Sequence, residues 1–490
     1  MAATQQPVLL LAETGFIIRN LLLGTFADAL TERRPLVVAV PDPNDERLRN
    51  ALADKRLTLI PFHRAPTAGG TSRLDQLRTW HTYMYRFKEG EKGTESVKLQ
   101  NRLFGSPTSR LGEAATRVLT NTGRMLRRAQ LMGVVEDRYL DSVARWPVAK
   151  QWGEELARLR PAAIVSTMLT HATNRRPSAD LPVVIAARQQ SVPSGTLVQS
   201  WDNLSSKTAV LPPWLDRYWT WSDAMSQELL SLNPRITADR VRVVGSPQFD
   251  FHRRPELLEP REQYLPRLGL DPALPYVVIG TGTQVWMPNE PDTVARMVVA
   301  IRGAMPRCQV LIRLHPKDDG ARWEPLLPIL RAHGAALQRT SPPVHMDLGG
   351  FVPPREFYRD QVNCLAHAAV VLNTASTLTV DAAILDRPVI CIGYDVIADA
   401  RFPEGRALAY SRSTHYSHLV QTGGVWVVHS EQECVQAIGH YLEDPALHRD
   451  GRRRIAVTVT GEADGGAGKR LADDVLTLCD AAIAQRSAAS

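Results

Sequence analysis

Short apolar runs bounded by turn residues recur along this chain, separated by stretches of helical spacing. That alternation restricts the fold more than any other feature. PVLLLA (7–12), PLVVAV (35–40) and LTLIPF (57–62) are too short for buried helices and read as buried strands. Between them IIRNLLLGTFADAL (17–30) and NDERLRNALAD (44–54) carry helical periodicity. The strand pattern returns at AAIVSTM (162–168), GTLVQSW (195–201), YWTWS (218–222) and RVRVVG (240–245). Strands that alternate with helices imply a parallel sheet covered on both faces.

A second series has the same character. Its strands are YVVIGTG (276–282), QVLIRL (309–314), AVVLNT (369–374), PVICIG (388–393) and VWVVHS (425–430), with helices at 292–305, 324–333 and 432–444. The expected fold is therefore α/β, with two tandem Rossmann-like domains and a cleft between them. The first domain is read as 1–255 and the second as 276–460, joined by a Pro- and charge-rich linker at 256–275. A Gly-rich break at 461–468 precedes a final helix, RLADDVLTLCDAAIAQ (470–485), expected to pack back at the domain junction.

Charge divides the chain unevenly. The 58 Lys and Arg exceed the 51 Asp and Glu by seven, yet residues 64–150 alone hold 16 basic against 8 acidic side chains. The rest sums to −1, so the excess belongs to a helical insertion in the first domain. Basic residues interleaved with apolar and aromatic ones, as in HTYMYRFK (81–88) and RMLRRAQLMGVV (124–135), suit an anionic membrane surface or a phosphate-bearing acceptor. The plainer reading is a solvated helical insertion. No helix-turn-helix, zinc-finger or RRM signature accompanies the charge, so nucleic acid is not the expected partner.

No run approaches the ~18 apolar residues of a membrane span, and no basic leader precedes PVLLLA. Five widely spaced cysteines form no C-x-x-C pair and read as reduced thiols. The expectation is a cytoplasmic chain, at most peripheral at the inner face of the membrane. No D-x-D pattern marks a donor-metal site, and no metal or other cofactor is expected.

Ligands of open α/β sheets bind beyond the carboxyl ends of the strands, and three candidate sites fall there in the second series. RLHPKDDG (313–320) ends a strand in His315, a donor for a phosphate, with Arg313 or Lys317 adding charge. NTASTLTVDAAILDRP (373–388) opens a helix near Ser376 and Thr377, with Asp381 a turn further on. The pair reads equally as a helix cap and as a phosphate seat, since both need the same geometry. IGTGTQ (279–284) offers Gly280 and Gly282 for close backbone approach, with Thr281 and Thr283 as donors.

These segments also carry a resemblance. VLNTASTLTVDAAILDRPVICIGYD (371–395) resembles the carboxyl-terminal motif of bacterial CDP-glycerol glycerophosphotransferases. RLHP (313–316) looks like that family's HP motif, shared with capsule Kdo-transferases and bacterial sialyltransferases. VVGSPQFD (243–250) is similar to the G-x-P-x-x-D turn that closes their first domain. The likeness spans roughly residues 195–400 and implies the GT-B fold. By it, His315, Ser376 and Thr377 would contact the phosphates of a nucleotide-activated donor, CMP- or CDP-linked by the HP resemblance, with UDP-linked donors an open alternative.

The family's first-domain His-Gly motif has no match, so the transferred group is open between a sugar and glycerol phosphate. In its neighbourhood QSWDNLSSK (199–207) offers Asp202 as a general base and Trp201 as a stacking platform, and Glu13 in LAETGFIIRN (11–20) is a second base candidate. The leading expectation is a glycosyltransferase acting on a surface-glycan or polyprenyl-phosphate-linked acceptor. The alternatives are a glycerophosphotransferase, a UDP-N-acetylglucosamine 2-epimerase-like enzyme whose usual D-S-G-G-x-x-E run is not recognisable here, and a non-catalytic glycan- or nucleotide-binding subunit.

Overall fold

A computed structural model describes residues 5–64, 131–169, 178–206, 211–339 and 356–489, with residues 118, 121, 122, 125, 126, 353 and 354. Most of the basic segment, 65–130, lies outside them. Its remainder forms the helices Met132–Val143 and Pro147–Leu159.

Thirteen strands build two wholly parallel sheets. The first contains β1 (Val8–Leu11), β2 (Leu36–Val40), β3 (Leu57–Pro61), β4 (Ala163–Ser166), β5 (Ser194–Leu197), β6 (Arg217–Thr220) and β7 (Val241–Val243), in the order 3-2-1-4-5-6-7. The second contains β8 (Tyr276–Gly280), β9 (Gln309–Arg313), β10 (Ala336–Gln338), β11 (Val370–Asn373), β12 (Val389–Ile392) and β13 (Trp426–Val428), in the order 10-9-8-11-12-13. Each sheet reverses its winding beside its first strand, between β1 and β4 and again between β8 and β11. Those two switch points are where an open α/β sheet leaves a crevice. The edge strand β10 carries little apolar signal, and the sequence patterning does not mark it.

The strands are apolar on both faces because helices cover both. Val8 and Leu10 enter one core, Leu9 and Leu11 another, as the twofold alternation of strand side chains requires. Tyr276 and Val278 join the core of Val8, while Val277 and Ile279 build a separate one. One continuous apolar core therefore runs through both domains. The five cysteines are buried within these layers and form no disulfide.

The segment read as one helix at 17–30 is three pieces. A turn at Gly15–Ile17 runs into a π-helical turn, Ile18–Leu22, closed by Leu23 N–H to Ile18 O at 3.0 Å. The chain then extends at Gly24, where a Cβ would lie 2.8 Å from Asn20 O, and resumes as Thr25–Thr31. A wide turn of this kind redirects side chains and recurs at functional sites.

The stretch after β7 is helical turns rather than open chain. Asp250 accepts from Thr25 Oγ1 (2.5 Å), Ala467 N (3.0 Å) and Gly468 N (2.7 Å), and so ties the β7 turn to the start of the last helix. That helix, Ala467–Ala489, lies along Thr25–Thr31, and its Asp474 accepts from Trp219 Nε1 at 2.6 Å. The preceding helix, Arg449–Thr460, packs on Leu378–Ile384 of the second domain. The chain thus ends back on the domain in which it began. Among the described residues no helix is long and apolar enough to cross a membrane.

Candidate functional site

The carboxyl ends of the two sheets face each other. From the first domain come the loop after β1, carrying Glu13 and the π-turn, and the loop after β5, carrying Trp201 and Asp202. From the second come the loops after β8, β9 and β11. Contacts cross between them at several points. Trp201 Nε1 donates to Thr377 Oγ1 at 3.3 Å and its ring meets His415 edge-on at 5.1 Å. The Lys317 ammonium lies 5.1 Å from the Phe16 ring centre.

His315 stands where β9 ends. Its backbone N–H donates to Thr281 Oγ1 (3.0 Å), and its ring Nδ1 accepts from Lys317 N–H (3.0 Å). With Nδ1 used as an acceptor, the imidazole proton resides on Nε2. Burial, aided by the neighbouring Lys317 charge, pulls its pKa down to about 3. The ring is neutral at physiological pH and can offer Nε2–H as a donor.

The loop after β11 is held open by its own side chains. Ser376 N–H donates to Asn373 Oδ1 (2.9 Å), and Ser376 Oγ accepts from Leu378 N (3.3 Å), the first residue of the helix Leu378–Ile384. Ala375 sits at φ +47°, a left-handed conformation that costs a non-glycine residue ~1 kcal/mol or more. Asn373 and Tyr416 brace the loop from below through Thr379 Oγ1, at 3.1 and 2.8 Å.

Several residues read from the sequence as ligand contacts are committed elsewhere. Arg313 is 4% exposed and donates to Gln338 Oε1 (2.6 Å) and Gln361 Oε1 (3.3 Å). Strand alternation turns it into the core, so it is not a phosphate partner. Asp381 lies 2.8 Å from His252 Nε2 in a buried pair that fastens the β7 turn to the second domain. It is a junction residue. Gly280 makes room for Leu378, whose Cδ2 a Cβ would overlap, rather than for a ligand. Thr281 serves His315, and Gly282 N–H donates to Glu290 Oε2 (2.8 Å). Thr283 Oγ1 is buried without a hydrogen-bond partner among the described residues.

Glu290 is the buried centre of that loop. Burial, opposed by Arg322, lifts its pKa to about 7. Arg322 bridges Asp318, Glu290 and the Gly282 carbonyl, and so holds the loops after β8 and β9 together.

In the first domain Asp202 accepts from Ser200 Oγ and is half-buried beside Trp201. Glu13 pairs with Arg64 at 3.3 Å. Asp180 is fully buried and gathers Ser166 Oγ, Thr167 N and Met168 N (2.7, 2.9 and 2.9 Å) on one oxygen. Its desolvation raises its pKa to about 6, and it shapes the turn after β4.

The residue that sequence reasoning missed is Arg19. The π-turn points it into the cleft, flanked by the Phe16 and Phe357 rings at 5.3 and 5.5 Å. Its Nε donates to Asn20 Oδ1 (2.7 Å), and Asn20 is fixed by Gln248 (3.1 Å) of the β7 turn. Its terminal nitrogens make no hydrogen bond among the described residues, and its charge acts on both His315 and Asp381. Burial lowers its pKa. The signal was visible: a lone arginine inside the apolar run FIIRNLLLG (16–24).

No protein-family model and no curated protein sequence matches this chain. Solved structures match it almost end to end. UDP-GlcNAc 2-epimerase from Neisseria meningitidis, bound to UDP-GlcNAc, is 13% identical with a TM-score of 0.52, over 96% of this chain and 100% of that one. The S. aureus MnaA–UDP co-structure is 11% identical with a TM-score of 0.51, over 96% and 97%. At such identity the likeness shows the fold. The chain has the GT-B-like architecture of two Rossmann-type domains. The narrower kinship with glycerophosphotransferases rests on the motifs alone.

Proposed function

We propose that this protein is a nucleotide-sugar-dependent glycosyltransferase whose donor diphosphate lies at the β8–β11 switch point. The supporting observation is a convergence of donors. Arg19, whose terminal nitrogens make no hydrogen bond among the described residues, Lys317 across the same Phe16 ring, and the Nε2–H of neutral His315 all border one cleft. Two cations and a neutral donor match a diphosphate, which gains negative charge as it leaves. The Ser376–Thr377 loop borders the same cleft.

Asp202 is assigned as the base, since it stands beside Trp201, the first-domain residue that reaches the Ser376–Thr377 loop. The acceptor oxygen attacks the anomeric carbon as its proton passes to Asp202. The bond from that carbon to the diphosphate breaks, and its electron pair stays on the phosphate oxygen, stabilised by His315 and Arg19. The acceptor is a surface-glycan or lipid-linked hydroxyl at the inner membrane face, where the basic segment 64–150 would bind anionic lipid.

The second reading is a nucleotide-sugar epimerase, favoured by end-to-end fold similarity to structures bound to UDP-GlcNAc and UDP. Thermal-shift titration with CMP, CDP, UDP and GDP identifies the nucleotide. Incubation of the chosen nucleotide sugar in deuterium oxide without acceptor then separates the two. A transferase leaves the sugar carbons unlabelled, and an epimerase that breaks a C–H bond incorporates deuterium. Absence of any nucleotide-dependent shift defeats both.

A further inference from the structure

At the opposite, amino-terminal end of the second sheet lies a pocket of about 480 Å³, within the ~300–1,000 Å³ range of small-molecule sites. Pro275, Ala369 and Pro388, which precede β8, β11 and β12, form its floor. The intervening strands put roughly 15 Å of sheet between it and the cleft.

Its charge is unbalanced. Arg261, Arg387 and Arg449 line it with a single carboxylate, Asp386, and Arg452 stands directly behind. Asp386 is already shared between Arg449 Nε and Arg452 Nη2, both at 2.8 Å. Part of this excess answers backbone carbonyls of the loops and of one helix end that gather here. Arg261 donates to His367 O, Pro272 O and Leu274 O, and Arg452 donates to Leu447 O and Pro445 O.

Arg387 and Arg449 are not used up in this way. Among the described residues the only hydrogen bond of the Arg387 guanidinium is a long one from Nη1 to Ala368 O (3.4 Å), and its Nε is buried with no partner there. It has no ion pair among the described residues. The terminal nitrogens of Arg449 likewise make no hydrogen bond there, its Nε alone reaching Asp386. The terminal nitrogens of Arg387 and Arg449 therefore offer donors from which an anion in the pocket would accept.

We propose that this pocket is a second binding site, for a phosphate-bearing small molecule held by Arg387 and Arg449. It is separate from the cleft and independent of what the cleft catalyses. The test is isothermal titration with pyrophosphate and inorganic phosphate at fixed ionic strength, with sodium chloride as the blank, in the Arg19→Gln chain, whose cleft seat for a diphosphate is weakened. That chain should bind saturably. Arg387→Gln or Arg449→Gln added to it should weaken binding about tenfold or more, and His315→Ala added to it should leave binding unchanged. Arg449 is exposed, so its variant keeps the test informative where Arg387→Gln folds poorly. Binding that survives both arginine substitutions, that disappears with His315→Ala, or that is absent from the Arg19→Gln chain overturns the proposal.

Discussion

The Arg19→Gln substitution probes the cleft most directly. Glutamine keeps the helical backbone and a polar tip but removes the charge and the paired terminal nitrogens. A hydrogen bond to a charged group contributes about 1.5–3 kcal/mol, so two bonds to a diphosphate contribute about 3–6 kcal/mol. Arginine already bears part of its desolvation within the cleft, where burial lowers its pKa. Glutamine also recovers a fraction of the binding. The net loss is about 2–4 kcal/mol, or roughly 30- to 900-fold in Kd. Stability should fall by only about 1–2 kcal/mol, from the Asn20 hydrogen bond and two cation–π contacts. Calorimetric titration of the nucleoside diphosphate at 0.15 M salt measures the first quantity and guanidinium unfolding the second. Lys317→Gln, at an exposed position, should cost less and lose its effect as salt rises. A Kd within threefold of wild type for Arg19→Gln would show that the phosphate seat lies elsewhere.

Three further outcomes follow from the buried groups. His252→Ala leaves Asp381 buried without its partner and should destabilise the protein by about 3 kcal/mol in equilibrium unfolding. An unchanged unfolding midpoint would mean the junction does not depend on that pair. Glu290 has a folded-state pKa near 7, above its ordinary 4.5, so the folded chain holds a proton that the unfolded chain releases. Its contribution to stability is full below pH 4.5 and declines as pH rises to 7. Glu290→Gln should therefore gain on wild type across that window, by at most about 3 kcal/mol, and parallel stability–pH curves would contradict this. Gly280→Ala should cost about 1–3 kcal/mol by overlap with Leu378. Leu378→Ala in the same chain should recover part of that loss, and no recovery would place the strain elsewhere.

The strand pattern was legible because a parallel sheet covered on both faces leaves an unbroken apolar run in the sequence. Twelve of the thirteen strands coincide with such runs. The exception, β10, is an edge strand of three residues with one buried position, the polar Gln338, too short and too mixed to show a period. Helix 17–30 was misread as continuous because its apolar spacing is correct, while the π-turn is fixed by Asn20 and Thr25 bonding to Gln248 and Asp250. Those partners are more than 200 residues away.

The candidate site was half legible. His315, Ser376 and Thr377 announce themselves by type and by lying where a strand ends. Arg313, Asp381 and Gly282 have the same signature and different fates, because side-chain direction and distant partners decide them. Arg19 was the converse case, a charge that looked like a blemish in a core helix.

By itself, then, the sequence determined that two parallel sheets would form in tandem, twelve of the thirteen strands that compose them, and that their carboxyl ends would hold the polar loops. Those are consequences of local periodicity and need no knowledge of distant partners. Only the tertiary structure decided which of the polar residues face the cleft. A guanidinium or carboxylate is available to a ligand only when no Gln338, His252 or Glu290 reaches it first, and such pairings are made across the fold.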